Sequence, residues 1–438
     1  MNAMIAAEHI FLTGIESVLP DQLIRKQVFI KDSILFISSF QFSLDRINRI
    51  FVVGAGKASA IMAKEIENIL GDRITDGHVV VKYGHDVELK YITVSEAGHP
   101  VPDNNGYLAT QKILKIVTLA EEDDLVICLL SGGGSSLLAD FPDGATLNDM
   151  IITNDLLLKS GADIRETNAV RKHLSKIKGG QLAKVAQPAH LVTLILSDVI
   201  GDPMDVIASG PSVPDPSTFK DAISILNKYG LLSKVPTPLI NYLKKGVAGF
   251  ISETPKPGDS IFDNTKNVII GSNIIALVAA HQKAITLGLH SLIVTSELEG
   301  DVIEIAKLVI EKALQFQNDE TIKKPCCLLF GGETTLKVNG VGTGGRNQHL
   351  ALYAALLLKN KNGITLLCAG TDGSDGPTLA AGALVDSKTK ESALSSGMDI
   401  QKYLDNFDSF HFFDKTGGHI ITGPTMTNVM DLIVIIIE

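Results

Sequence analysis

IFVVGAGKAS, Ile50 to Ser59, is the stretch that decides how this chain is built. Apolar residues run straight into two glycines that flank an alanine, and a helix-forming series from Ala58 to Leu70 follows at once. That order dictates a buried strand, a tight turn and a helix N-terminus. The order recurs: apolar runs at 77–84, 89–98, 124–134, 190–198, 266–272, 290–296, 325–333, 364–373 and 431–437 are interleaved with helical periodicity at 106–120, 274–287, 301–316 and 348–359. Continuous Val/Ile/Leu runs indicate strands buried on both faces, and their alternation with helices predicts an α/β fold with largely parallel sheets. A chain of 438 residues accommodates two such domains. The division is expected in GVAGFISETPKPGDS, 246–260, where prolines, glycines and polar residues gather. We therefore expect α/β domains at 1–248 and 260–438, the first Rossmann-like, with ligands in an interdomain cleft beyond the carboxyl ends of the strands.

Composition narrows the partners. The net charge of −10 offers no long-range attraction to nucleic acid or to an anionic membrane. No apolar run approaches the roughly 20 residues that span a bilayer, and the N-terminus lacks a basic leader, so a cytoplasmic protein is expected. Cys128, Cys326, Cys327 and Cys368 sit in strand-like runs without CxxC spacing, which reads as buried reduced thiols.

Glycine loops follow several of the apolar runs. In VVGAGKAS, Gly54 and Gly56 permit a turn whose helix amides attract an anion, and Lys57 adds a full charge there. Ser59 stands where a dinucleotide fingerprint needs its last glycine, and Phe51 and Ala58 depart from a phosphate-binding Walker loop. LLSGGGSSLL, 129–138, supplies Gly132, Gly133 and Gly134 as a nest of amides, with the hydroxyls of Ser131, Ser135 and Ser136 as further donors. RETNAVRKHLSKIKGG, 165–180, reads as one helix capped by Thr167 and ended by Gly179 and Gly180. Val170, Leu174 and Ile177 would form its buried stripe, Arg171, Ser175 and Lys178 an adjacent face, and Arg171 or Lys172 could reach a ligand. Asp198, at a strand end, is a candidate base or Mg²⁺ anchor, whereas Asp202 before Pro203 reads as a turn residue.

The densest loop, FGGETTLKVNGVGTGGRNQHLAL at 330–352, contains Glu333, Thr334, Gly344, Gly345 and Asn347. It places Arg346 at the start of a helix, an unfavourable end for a cation unless an anion lies there. AGTDGSDGPT adds Asp372 and Asp375 after another strand. Hydroxyl, amide and carboxylate loops with one lysine and one arginine suit phosphoryl transfer, which depends on positioning and charge neutralisation.

The ordered set GAGKA, EAGHPVPD, LLSGGGSSLL, NAVRKHLSKIKGGQLA, LSDVIGDP, GTGGRNQ, AGTDGSDGPT and TGPT.TNV.DL resembles the glycerate 2-kinases of the MOFRL type, some of whose relatives are labelled hydroxypyruvate reductases. The resemblance covers about residue 50 to the C-terminus, with the MOFRL region at about 325–432. It implies phosphorylation of D-glycerate to 2-phosphoglycerate by ATP with a divalent metal, and catalytic roles for Lys57 and Arg346. A homo-oligomer is the one protein association left open. Many relatives carry glycine where this chain has Met426, so positive φ there would strain the loop. Ser212 keeps the hydroxyl of a more usual threonine. An NAD(P)H-dependent hydroxypyruvate reductase and a non-catalytic nucleotide or sugar-phosphate sensor are the rival readings.

Overall fold

The structure is a computed structural model describing residues 2–438. It resolves into two compact units. One comprises Leu23–Ser197 with Asp202–Ile270, the other Gly271–Glu438 with the chain up to Gln22 and Asp198–Gly201.

The first unit is built on a six-stranded sheet of β4 (Ile50–Ala55), β5 (Ile74–Lys82), β6 (Thr93–Ala97), β7 (Leu125–Leu130), β8 (His190–Leu196) and β9 (Thr265–Gly271), in the order β6-β5-β4-β7-β8-β9. Its neighbours pair in parallel from β6 through to β8. Every residue of β4 and β7 is buried, as expected of central strands covered on both faces. A satellite core joins helices Leu147–Ser160, Ile164–His173, Phe219–Lys228 and Thr237–Val247 through Leu157, Val170, Phe219 and Leu243. Three strands of four residues, β1 (Val28–Lys31), β2 (Ile34–Ile37) and β3 (Phe40–Ser43), form an antiparallel meander that sequence did not reveal. Each is only four residues long and partly exposed, so even the apolar ILFI of β2 is too short a run to stand out.

The second unit carries β10 (His290–Asp301), β11 (Cys326–Thr335), β12 (Ile364–Gly370), β13 (Gly382–Asp386), β14 (His419–Ile420) and β15 (Asp431–Ile437), ordered β10-β11-β15-β12-β13-β14. Here the expectation of parallel pairing is corrected. Only β10 with β11 is parallel among the pairs described; β15 lies between β11 and β12 and runs antiparallel to both. An apolar run reports burial on two faces but carries no strand direction. Phe330, Leu366, Ile433 and Ile435 pack against helices Val302–Asn318 and Arg346–Leu357 to make this core.

The division falls after Ile270, not within 246–260. That polar stretch is held in the first unit: Thr254 donates from Oγ1 to Asp215 at 2.9 Å, and the Asp215 amide donates to the Pro255 carbonyl. The N-terminal segment belongs with the second unit because helix Ala3–Ser17 buries Ile10, Phe11 and Ile15 there, and Thr427 donates from Oγ1 to the Val18 carbonyl at 2.7 Å. No single helix among the described residues is long and apolar enough to cross a membrane.

Candidate active site

In the first unit, two glycine loops at the carboxyl ends of β4 and β7 are stitched together. The Lys57 amide donates to the Gly132 carbonyl at 2.9 Å, and the Ala58 amide to Ser131 Oγ at 3.0 Å. Gly56, at φ +141°, leaves no room for a side chain, since a Cβ would stand 2.1 Å from Ser131 Oγ. Ser59 is buried and donates to the Leu129 carbonyl at 3.1 Å. The residue that broke the dinucleotide fingerprint therefore clamps the helix to β7. Ser131 was expected to face a ligand; its hydroxyl is instead buried in this clamp. Ser135 pairs with Ser209 through their hydroxyls at 2.8 Å and is only half-buried, as is Ser136.

Lys57 is also half-buried, and its ammonium forms no ion pair among the described residues. Its carbonyl lies 2.9 Å from His85 Nδ1. His99 abuts the same loop, where a Cβ on Gly133 would stand 2.8 Å from the imidazole. Burial first, then the charges of Lys57, Lys82 and His85, push the His99 pKa down to about 4. The ring is therefore neutral at pH 7. Sequence reading missed both histidines, although EAGHPVPD was itself one of the motifs quoted.

The expected helix over 165–180 is shorter than its pattern. It runs from Ile164 to His173, capped by Asp163 in a reciprocal box with Glu166, so Thr167 is not its cap. Ser175 ends the regular pattern: its hydroxyl accepts from the amides of Ile177 and Lys178 and donates to Asp140. Arg171, Ser175 and Lys178 thus do not share a helix face. Lys178 reaches Asp140 at 3.1 Å, and Arg171 donates from Nε to Asn154 Oδ1 at 2.8 Å. Lys172, a candidate ligand residue, is buried in the first unit. It is 4% exposed and faces Asp205 and Asp215 at 3.4 and 3.5 Å.

In the second unit, Arg346 opens helix Arg346–Leu357 beside Asp431, the first residue of β15. The anion that its position demanded is supplied by the protein. Nε and Nη2 donate to Asp431 at 2.7 and 3.0 Å, and Nη1 meets Glu333 at 2.6 Å. Burial opposes the charge, but the hydrogen bonds and field of Asp431, aided by Glu333 and Asp375, raise the guanidinium pKa above its usual range. Asn347 donates to Asp431 at 2.9 Å and accepts from the Cys368 thiol.

Asp375, expected to face a ligand, turns inward. It is 2% exposed and accepts from the amides of Asn347 and Gln348 at 3.0 and 2.8 Å, capping the helix that carries Arg346. Gly345 is required beneath it, because a Cβ would stand 2.2 Å from the Asp375 carboxyl carbon. Desolvation lifts the Asp375 pKa to about 6 against those amide hydrogen bonds. Asp375 is therefore a positioning residue. Glu333, Thr334, Gly344, Gly345, Arg346 and Asp372 line one cavity of about 650 Å³, which Ile200, two residues beyond Asp198, also borders. Thr334 Oγ1 is buried there without a hydrogen-bond partner, a group suited to a polar ligand.

The remaining sequence expectations sort by local geometry. Asp202 has φ +53°, the left-handed conformation that aspartate tolerates in a turn. Met426 has φ +63°, so it adopts the conformation that favours the relatives' glycine. The Ser212 hydroxyl donates to Asn267 at 2.6 Å, a structural use. All four cysteines are free and buried.

Comparison with known proteins gives a consistent picture. The profile of the MOFRL family matches residues 326–431, and that of a domain of unknown function, DUF4147, matches residues 6–244. A glycerate 2-kinase of Pyrococcus horikoshii is 40% identical over 97% of this chain and 95% of its own length. A D-glycerate 2-kinase of Thermotoga maritima is 41% identical over 96% and 95%. A protein of Agrobacterium vitis named putative hydroxypyruvate reductase is 42% identical over 89% and 87%. The crystal structure of glycerate kinase from Thermotoga maritima superposes with a TM-score of 0.89 at 40% identity, covering 99% of each chain.

Proposed function

This chain belongs to the glycerate kinase family with a MOFRL region, and from that premise we propose that it transfers the γ-phosphoryl group of ATP to D-glycerate, giving 2-phosphoglycerate and ADP. The observation that carries the reading is the near full-length similarity to proteins named for that activity. The local chemistry supports it. Phosphoryl transfer needs charge neutralisation and alignment more than covalent help from the protein. Lys57 offers an ammonium with no carboxylate partner among the described residues, beside the amides of a glycine loop. Arg346 is anchored on one side by Asp431 and Glu333, and its two remaining N–H groups are available to stabilise charge on a transferring phosphoryl group.

ATP supplies the phosphoryl group, and a divalent cation such as Mg²⁺ would neutralise its phosphates. Mg²⁺ bound with a nucleotide uses one or two carboxylates and completes its shell with phosphate oxygens and water. Asp198 is our candidate for that carboxylate or for the group that accepts the hydroxyl proton, with Asp372 second. Among the described residues no three metal-ligating side chains converge, and a cation delivered with ATP requires no such cluster. A cytoplasmic setting belongs to the same proposal, in keeping with the free thiols.

The reductase names among the relatives give a second reading. Against it, the Ser59 hydroxyl ties the helix to β7 where a dinucleotide fold needs glycine. One assay separates the two: purified protein is given D-glycerate, ATP and Mg²⁺ while ADP is followed, and hydroxypyruvate with NADH in parallel. ADP release without NADH loss is expected; the converse would overturn the kinase reading.

A further inference from the structure

The first unit contains a second cavity, of about 340 Å³, within the usual range for a small-molecule site. It lies beside the glycine loop after β7. Its walls come from the segment 100–102 and from helix Leu147–Ser160, and Val101, Pro102, Met150, Ile151 and Leu158 make most of it apolar. Val101 is 60% exposed and Leu158 68%, a cost in free energy that an apolar ligand would remove. One side is polar, with Ser135, Ser136, Asn154, Asp155 and Arg171, and the Asp155 carboxylate accepts from Lys159 at 2.8 Å.

Arg171 distinguishes this cavity from an ordinary surface dent. Its Nε is fixed on Asn154, and no carboxylate pairs with it among the described residues, in contrast to Lys178, which pairs with Asp140 on the same lining. Desolvation alone lowers its pKa. A half-buried guanidinium without a counter-charge is a site for an anion. A three-carbon hydroxyacid is too small and too polar to cover the apolar walls. A nucleotide matches both halves, with a flat, largely apolar base at one end and phosphates at the other.

Resting on the kinase reading, we propose that this cavity holds the nucleoside end of ATP. The purine lies against Met150, Ile151 and Leu158, and Arg171 takes the phosphate next to the ribose. The Ser135 and Ser136 hydroxyls lead the remaining phosphates toward the glycine loop. Asn154, whose carbonyl oxygen already accepts from Arg171, keeps its amide N–H groups for the acceptor nitrogens of the ring.

The chain has no tryptophan, which gives a clean test. Leu158→Trp places a single reporter on the exposed rim of the cavity. Its emission should change on titration with ADP and, more weakly, with adenosine, and stay unchanged with tripolyphosphate. Arg171→Gln should raise KM for ATP on the order of tenfold, leave KM for D-glycerate within about twofold, and spare adenosine binding. A reporter blind to ADP and adenosine, or an unchanged KM for ATP in Arg171→Gln, would overturn this assignment while ADP release from D-glycerate by the wild-type protein left the kinase reading intact. Failure of wild-type turnover would sink the kinase reading instead, and the fluorescence titration would still report whether the cavity takes a nucleoside.

Discussion

Arg346 and Asp431 form a bidentate pair, Nε to Oδ2 at 2.7 Å and Nη2 to Oδ1 at 3.0 Å, that joins the first residue of a helix to the first residue of the central strand β15. The pair fixes the guanidinium plane and, with Glu333, offsets its charge at the positive end of the helix dipole. Asp431→Asn keeps the shape but removes the counter-charge. We expect a loss of about 3 kcal/mol in urea unfolding and a drop in kcat on the order of a hundredfold. Wild-type kcat in that variant would show that orientation of Arg346 is immaterial to turnover.

Lys57 has no structural partner for its ammonium among the described residues, so its removal should separate catalysis from folding. Lys57→Met is expected to lower kcat by on the order of a hundredfold or more, with unfolding free energy within about 0.5 kcal/mol of wild type. Steady-state kinetics beside a denaturant titration tests both halves.

Lys172 should show the opposite pattern. Truncating it to Met strands the fully buried Asp215 carboxylate, which relies on Lys172 together with the hydroxyls of Ser217 and Thr254. The expected cost is about 3–5 kcal/mol of stability, with KM for both substrates nearly unchanged in the fraction that remains folded. Calorimetry with kinetics at low temperature distinguishes this from a ligand role.

Met426→Gly restores the residue that φ +63° favours. Relief of left-handed strain exceeds the added chain entropy of glycine, so a gain of about 1 kcal/mol is expected from thermal unfolding. Loss of stability in this variant would refute strain at Met426.

Acid should weaken the fold through His78. Burial, then Lys112, push its pKa down to about 4 from 6.5, and its Nε2 lies 3.0 Å from Ser95 Oγ. Between those values the unfolded chain binds a proton that the folded chain refuses, so stability is full above about pH 6.5 and falls as pH drops toward 4. The integrated effect is about 3 kcal/mol. Asp375 works in the other direction, because its raised pKa of about 6 means the folded state takes up a proton first as pH falls. Comparing His78→Gln with wild type in urea at pH 7 and pH 5 isolates the histidine; a parallel decline in both would count against it.

Much of this molecule was legible in its residues because burial on both sides of a strand leaves a run such as IFVV or DLIVIII that nothing else explains. The glycine loops were legible for the same reason: Gly56 and Gly345 sit where the sequence asked for close approach. The direction of β15 was not, since an apolar run is the same read either way. Nor was the inward turn of Asp375, because an aspartate that caps a helix and one that faces a ligand occupy the same kind of loop. Arg346 lay between these cases. Its misfit with the helix dipole announced an anion, but not that the anion would be the protein's own.

The second unit is assembled from segments that flank the first in sequence. Helix Ala3–Ser17 and the central strand β15 belong to one core, and β15 bridges two halves of a sheet that have no other pairing with each other among the described residues. On the ribosome, helix Ala3–Ser17 must therefore wait for its core while more than two hundred residues of the other unit emerge, and its sheet cannot close before residues 431–437 are made. The first unit carries no such delay, so order during synthesis passes from that unit to the segments that flank it.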